Sequence, residues 1–520
     1  MAQDRQQPAQ GEVIAFLSSP EAHGGLRPVE RIETHAALVF LAGDQAVKIK
    51  KAVVLGYLDF STLEKRHRAL ARELELNRAN APEIYRNLVA VVREAGGGLS
   101  LGGPSLTNAG EPVEWALIMN RFDQDRLMDR IAARGPLDFD LAAALADAVL
   151  SVHRNAPVAA IDQLAAMIGL VDQISGDLER LASAVGRAQP AAFRPAAERA
   201  LRRARSCLEP RAARGFVRRC HGDLHLGNIV VIGGRPVVFD ALEFDESLAT
   251  IDVLYDLAFL LMDLMQRDQR PAASRVLNRY LQGAPGNEEG LAALPLFLGL
   301  RAGVRAMVIA ERAAQGGCDG AGAADYLSTA LELFDPPPAR LIAVGGYSGT
   351  GKTTLAAALA PDIGAAPGAV HLRSDVERKA LFEVAETTKL DPGRYDAETT
   401  ARVYRRIEGR ARAALQAGHS VIADAVFARP DERQAIEEVA RQTGVEFSGL
   451  WLTAPDERLA QRVSARRGDA SDATAAVVAM QIERGAGPVS WRTLDASGSP
   501  QDVAAAAREL LKLQSIVGSD

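Results

Sequence analysis

Lys352 and Thr353 close an eight-residue run, Gly346-Tyr347-Ser348-Gly349-Thr350-Gly351-Lys352-Thr353, that fits G-x-x-x-x-G-K-[ST] in full and continues into Thr354. Glycines let consecutive backbone N–H groups curl around phosphate oxygens, and a helix beginning at the lysine adds positive potential. The lysine then meets β/γ oxygens and the threonine hydroxyl suits Mg²⁺. The run lies between a strand-like RLIAVGG and a helix-like stretch, the context in which this motif binds a triphosphate. Downstream, HLRSDVERKALF reads as a strand turning into a helix, with Ser374 and Glu377 spaced for a capping box and the helix starting at Asp375. Asp375 at that mouth can take a proton from an attacking hydroxyl, and Arg378, one turn along, can hold an anion. Asp424 ends the strand-like HSVIADAV, where a carboxylate supports the water shell of Mg²⁺. Arg462, Arg466 and Arg467 cluster on one helix or its exit loop, where they can neutralise transferring charge.

A second constellation lies far upstream. In CHGDLHLGNIVV, Asp223 and Asn228 are five residues apart, and Asp240 comes at the end of the strand-like VVFD. One carboxylate (Asp223) can accept a hydroxyl proton, while an amide (Asn228) and a second carboxylate (Asp240) can hold Mg²⁺ against phosphates. Cys220, His221 and His225 do not have the number or spacing of a zinc site.

The elements that must position these groups fall into two patterns. Short strand-like runs (ALVFLAG, QAVKIKK, NLVAVVRE, EWALIMN) surround one long helical stretch, STLEKRHRALARELELNRANAP, which implies a compact α+β lobe. Lys48 and Lys50 share one face of their strand. The chain then turns helical, interrupted by the strand-rich insert that holds Asp223 and Asp240. DPPPAR is a stiff linker, and after it strands alternate with helices, the mark of a parallel sheet covered on both faces. The expected divisions are a loose tail at 1–11, a small lobe at 12–122, a helical lobe at 123–335, a linker at 336–340 and an α/β domain at 341–516.

Composition narrows the setting. The chain has 520 residues, and 60 Lys+Arg against 66 Asp+Glu give a net charge of −6, which offers no general attraction to nucleic acid or an anionic membrane. Three cysteines make no disulfide framework and suit a reducing cytoplasm. The polar N-terminus has no apolar targeting core, and DLAFLLMDLM (256–265), taken as the longest apolar stretch, is too short to span a bilayer.

The C-terminal motifs resemble those of small P-loop kinases such as gluconate kinase, chloramphenicol phosphotransferase and the zeta-toxin group. The resemblance implies that Arg462, Arg466 and Arg467 belong to a lid over ATP and that WRTLDAS (491–497) lies near the adenine. CHGDLHLGN resembles the catalytic loop of aminoglycoside phosphotransferases and choline-kinase-like enzymes, relatives of protein kinases. That resemblance implies Asp223 as base, Asn228 and Asp240 as metal ligands, His221 as loop anchor and Asp256 as a buried brace. It further implies Lys48 as the phosphate clamp, Glu73 as its helix partner, and a hinge at Met119–Phe122 for the adenine. No G-x-G-x-x-G precedes Lys48: ETHAALVFLAGDQ has the single glycine Gly43, so phosphate cover must come from another loop near Thr34. His153 is expected to be a packed core histidine. ETH (33–35), GYLDFSTLEKR (56–66) and the P-loop, in this order, resemble a bacterial family of fused proteins joining these two domain types.

The expectation is therefore a bilobal α+β kinase-like domain followed by an α/β P-loop domain with a parallel sheet. ATP and Mg²⁺ are the expected cofactors, and the expected acceptor is a small hydroxyl compound, with no nucleic acid or membrane partner and a homodimer allowed. Two alternatives stand beside it: only the P-loop half is catalytic and the first half is a binding or regulatory module, or the chain is a non-catalytic ATP switch. An aminoglycoside acceptor would want acidic groups such as those of DALEFDES (240–247), a feature equally suited to metal support.

Overall fold

The computed structural model describes residues 3–55, 58–102, 111–185, 190–314, 320–465 and 470–513. The chain forms two compact units, Met1–Ile161 with Gly215–Leu260, and Asp162–Arg214 with Leu261–Asp520. The stretch 123–335, expected as one helical lobe, is thus divided between them.

In the first unit, helix α1 (Gln3–Leu17) includes most of the stretch 1–11 expected as a loose tail, which corrects that expectation. Its C-terminal half is held by apolar and polar contacts together. Val13 and Leu17 are in the core, and the Gln10 side chain donates to Lys50 O (2.9 Å) and accepts from the Ala52 N–H (2.8 Å). Six antiparallel strands come next, β1 (Val29–Glu33), β2 (Ala37–Ala42), β3 (Gln45–Lys50), β4 (Tyr85–Arg93), β5 (Leu99–Leu101) and β6 (Glu111–Asn120). They lie in the order β1-β2-β3-β6-β4-β5. The alternation of β3 sorts its side chains between two cores. Val47 and Ile49 face one core with Val13, Leu17 and Phe40, whereas Ala46 faces the other with Leu70 of helix α2 (Leu63–Arg78). Lys48 and Lys50 share the Ala46 face, so packing α2 there buries two ammonium groups that must be paired. A hairpin of β7 (Ile229–Ile232) and β8 (Arg235–Val238) comes after the Asp223 loop and leads to Asp240. Helix α3 (Val253–Gln266) carries Asp256 in its first turn.

In the second unit, helices α4 (Arg270–Gly283) and α5 (Leu294–Ala314) precede the linker. The segment 288–314 is long and apolar enough to cross a membrane by length and composition, and 61% of its most apolar window is buried within the protein. It is longer than 256–265, the stretch expected to be the longest of that kind. After the Pro-rich linker come β9 (Arg340–Gly346), α6 (Lys352–Leu359), β10 (Val370–Arg373), α7 (Ser374–Leu381), α8 (Ala397–Gln416), β11 (Val421–Asp424), β12 (Glu446–Thr453), α9 (Ala475–Arg484) and β13 (Arg492–Asp495). The five strands form a parallel sheet in the order β10-β11-β9-β12-β13. Ile342, Val344, Ile422, Leu450 and Leu452 of the sheet and Leu355 and Leu359 of α6 form one buried cluster. The expected capping box at Ser374 is not formed. Arg373 is the N-cap residue of α7, and the Glu377 carboxylate is bound instead by Arg406 and Arg410 of α8.

Candidate active sites: a lysine–carboxylate cluster and a P-loop

The first unit gathers Lys48, Lys50, Glu73, Asp240 and Glu243 in one network, buried except at the partly exposed Asp240. Lys48 Nζ donates to Glu73 Oε1 and to Asp240 Oδ1, both at 2.7 Å. Lys50 Nζ stands 2.7 Å from Glu73 Oε2 and 2.5 Å from Glu243 Oε1. Burial alone would push the Lys48 and Lys50 ammonium groups down, but Asp240 and Glu73 around the first and Glu73 around the second outweigh it and raise both. Burial likewise pushes the Asp240 carboxyl up, and Lys48 and Lys50 overcome it, holding Asp240 below the ordinary carboxylate range. Asp240 has φ 61, left-handed backbone that a non-glycine residue rarely adopts, and its N–H donates to the Tyr85 hydroxyl (3.1 Å). The next N–H, of Ala241, donates to Asn77 Oδ1 (2.9 Å), and the Asn77 amide also donates to Glu73 O (2.8 Å). Helix α2 thus sets both the lysine partner and the backbone after Asp240. Tyr85 and Asn77 had no signal in the sequence, because their partners lie 155 and 164 residues away.

Removing one partner of a buried ion pair leaves a charge uncompensated, at a cost of about 3–5 kcal/mol. Lys50→Ala is therefore expected to destabilise the first unit by about that amount, read as a lower midpoint of thermal unfolding. Lys50→Ala with Glu243→Gln is expected to recover part of the loss.

The Asp223 loop is braced from below. Asp256 accepts the His221 N–H (3.0 Å) and the Gly222 N–H (2.9 Å), and His153 Nε2 lies 3.1 Å from the same carboxylate. His153, expected as plain core, is thus part of the brace. Gly222 has φ +86, and a Cβ there would meet Ala249 Cβ at 3.0 Å, so both conformation and space call for glycine. His221 Nε2 pairs with Phe239 O (2.8 Å), and burial lowers the pKa of the ring. The Asn228 amide donates to Asp223 O (2.9 Å) and Asp223 Oδ2 (3.1 Å), leaving Oδ1 as its ligand atom. His225 Nε2 lies 3.4 Å from Asp223 Oδ2, a neighbour the motif alone did not assign. Met119 ends the buried part of β6 and Phe122 packs on Phe239 with ring centroids 5.2 Å apart. Thr34 caps the β1–β2 turn through Ala37 N–H (2.9 Å).

In the second unit, Gly346 ends β9 and α6 starts at Lys352, with Gly351 as its N-cap at φ 89. Gly349 has φ +92, and a Cβ there would meet Leu459 O at 2.6 Å. Thr350 Oγ1 donates to Tyr347 O (2.8 Å), and Ser348 N–H donates to Gln481 Oε1 of α9 (2.8 Å). Thr353 Oγ1 donates to Asp424 Oδ2 (2.6 Å), where His371 Nε2 also lies at 3.3 Å. Burial pushes the Asp424 carboxyl up, but His371 and Lys352 bring it below its ordinary value. A cleft of about 280 Å³ is lined by Gly349, Thr350, Gly351, Thr354, Arg462 and Ala496, among others. Of WRTLDAS, Ala496 lines this cleft but Trp491 does not. Its indole packs over Gly449 and donates to Glu437 Oε1 (2.6 Å), because a strand with a glycine opposite leaves room for the ring. Arg466 and Arg467 lie outside the described residues.

Arg378 donates to Arg394 O (2.9 Å) and Thr400 Oγ1 (3.2 Å) and lies 4.6 Å over the Tyr395 ring. Asp472 accepts from Lys379 Nζ (2.5 Å), Leu390 N–H (3.0 Å) and the Tyr395 hydroxyl (2.6 Å). Burial and the nearby Asp424 raise the Asp375 carboxyl, although Lys352 and Ser471 oppose them. In the unfolded chain Asp375 loses its proton at the ordinary carboxylate pH, and in the folded chain only at a higher one. The native state therefore bears the cost of the charge above the raised value. Asp375→Asn is expected to raise the thermal midpoint at neutral pH, with the gain shrinking as pH falls through that value.

Oxygen donors dominate both sets, a hard-ligand chemistry that fits Mg²⁺, and the positive-φ glycines before α6 fit a triphosphate tail. An α+β kinase-like fold and a parallel-sheet P-loop fold, each with such a set, define a phosphotransferase. Residues 35–294 match the phosphotransferase enzyme family and residues 341–488 match an AAA domain. The chain belongs to the phosphotransferase enzyme family and is a kinase-type enzyme. An uncharacterized protein of Mycobacterium tuberculosis (strain ATCC 25618 / H37Rv) is 30% identical over 483 residues, 90% of this chain and 92% of that one. Among solved structures, a choline/ethanolamine kinase family protein from Mesorhizobium loti is 17% identical with a TM-score of 0.40, covering 63% of this chain and 95% of its own. A gluconokinase from Sinorhizobium meliloti 1021 is 19% identical with a TM-score of 0.24, covering 34% and 98%.

Proposed function

We propose that the chain is an ATP- and Mg²⁺-dependent phosphotransferase with two nucleotide sites, each moving a γ-phosphoryl group to a small hydroxyl-bearing metabolite of the sugar or amino-alcohol class. The observation that carries the reading is the joining of Lys48 to Asp240 at 2.7 Å, with the N–H of Phe239, one residue before Asp240, donating to the carbonyl of Asn228 (3.0 Å), whose amide bonds Asp223 at 3.1 Å. One such cluster holds a phosphate clamp, two oxygen ligands for a cation and a carboxylate that can take a proton. In the first site Asp223 is the base, Lys48 oriented by Glu73 clamps phosphate, and Asn228 and Asp240 hold Mg²⁺. The adenine lies against the Met119–Phe122 hinge. In the second, Gly346 to Thr354 and Arg462 hold ATP, Thr353 and Asp424 hold Mg²⁺, and Asp375 is the base. Arg378 positions the acceptor, and Arg466 serves the lid.

In each site the acceptor oxygen bonds to the γ-phosphorus as the bond to the β-phosphate oxygen breaks, and the acceptor proton passes to the carboxylate. Most of the acceleration comes from positioning and charge neutralisation, for which these residues suffice. Among the described residues neither Cys207 nor Cys220 is in a disulfide; their thiols donate to Ala204 O (3.1 Å) and Ile251 O (3.4 Å), and the setting proposed is cytoplasmic. The test is a screen of sugars, amino alcohols and nucleosides with ATP and Mg²⁺, read by ³¹P NMR for a new phosphate ester. ATP binding without any ester product would instead support a nucleotide-dependent switch.

A further inference from the structure

Strand β10 is the edge of the parallel sheet, four residues long and, among the described residues, paired only with β11. Such an edge presents unpaired backbone groups. Here a side chain from outside the sheet occupies it. Asn278 of α4 donates through Nδ2 to Ala369 O (3.1 Å) and accepts the His371 N–H on Oδ1 (2.7 Å). Its amide thus makes both bonds that a neighbouring strand's peptide group would make, and it is itself buried. The two residues it reads flank the point at which β10 begins.

The strand it fixes carries a consequential side chain. His371 Nε2 lies 3.3 Å from Asp424 Oδ2, and the same oxygen accepts the Thr353 hydroxyl at 2.6 Å. A continuous path therefore runs from an amide in the segment matched to the phosphotransferase family, through one strand residue, to the Thr353–Asp424 pair of the P-loop. Neighbouring contacts fasten the same stretch. Arg279 (3.0 Å) and Arg373 (2.8 Å) share the Glu386 carboxylate, while Arg410 joins Glu288 to Glu377 on α7. None of these contacts replaces the pair of bonds at the β10 backbone.

We propose that Asn278 is a positioning residue of the P-loop site: it holds β10 in the register that keeps the His371 ring on Asp424, and so sets the Thr353–Asp424 pair for a divalent cation. The helical segment before the linker thereby completes the second site. The proposal rests on the reading of that site as an ATP–Mg²⁺ site.

The test uses the full chain and hydrogen–deuterium exchange, which reports on the P-loop peptides (346–354) separately from the first site. The quantity read is the magnesium gain: the ratio of ATP concentrations giving half-protection in EDTA and in Mg²⁺. Asn278→Ala is expected to lower that gain about tenfold while ATP protection in EDTA changes little, as expected when an interaction made only with the cation is lost. His371→Ala leaves the Asn278 bonds to the backbone in place and is expected to give the same loss. It serves as the decisive variant if Asn278→Ala does not fold. The double variant is expected to match His371→Ala within about twofold, since the two act through one path. A wild-type gain in His371→Ala, or losses that multiply in the double variant, would overturn the proposal. Absence of any ATP protection of 346–354 in the unaltered chain would overturn the nucleotide reading, and the proposal with it.

Discussion

Lys352→Ala is expected to reduce ATP turnover at the P-loop by about 10²–10³-fold while turnover at the first site persists. The magnitude reflects the role of a preorganised cation in such a cradle: losing one donor to developing charge in a water-poor site costs about 10²–10³ in rate. Lys352 meets ground-state phosphates as well, so binding falls with it. The lysine opens α6 behind Gly351 and donates to Tyr347 O (3.1 Å), so its stem is held across the mouth of the loop. The substitution removes no apolar packing from the cluster of Leu355, Leu359 and Val344, so the fold is expected to survive. Circular dichroism and ADP release measured together separate the two effects. Full retention of turnover in the presence of an inactive first site would show that Lys352 has no part in phosphate binding.

Asp223→Asn is expected to cut ester formation at the first site by about 10²–10⁴-fold, the usual contribution of a general base. The amide keeps the size of the carboxylate and can still bond Asn228, so ATP affinity should be nearly unchanged. That split, rate lost with nucleotide binding kept, distinguishes a base from a structural aspartate. Combining Asp223→Asn with Lys352→Ala is expected to leave no ester product from any acceptor. Product surviving the pair would mean that the proton goes elsewhere.

Much of this architecture could be read without coordinates, for identifiable reasons. The P-loop, the Asp223–Asn228 loop and the alternation that sets Lys48 and Lys50 on one face depend on short-range spacing, and spacing is what a sequence displays. The parallel sheet after DPPPAR is implied by strand–helix alternation. The N-terminal helix was hidden because Gln- and Ala-rich polar residues read alike as tail or as helix, and Gln10 gains its role only from Lys50, 40 positions away. The capping box at Ser374 looked sound locally, but two arginines of α8 compete for Glu377 and win by charge. Tyr85 and Asn77 hold the Asp240 backbone through contacts that no periodicity announces. His371 and Asn278 belong to the same class: an aromatic on a strand and an amide on a helix, unremarkable until strand and helix meet.

The lysine–carboxylate network has a consequence for what the first site will admit. Its two ammonium groups face three carboxylates, Glu73, Asp240 and Glu243. A bare polyphosphate entering there would add anionic charge where acids already outnumber bases, in a region of low dielectric. The same polyphosphate arriving with its counterion already attached brings the compensation with it. If this cluster is the nucleotide site proposed above, it is expected to favour the metal-complexed form, because its one surplus acid disfavours a bare polyanion.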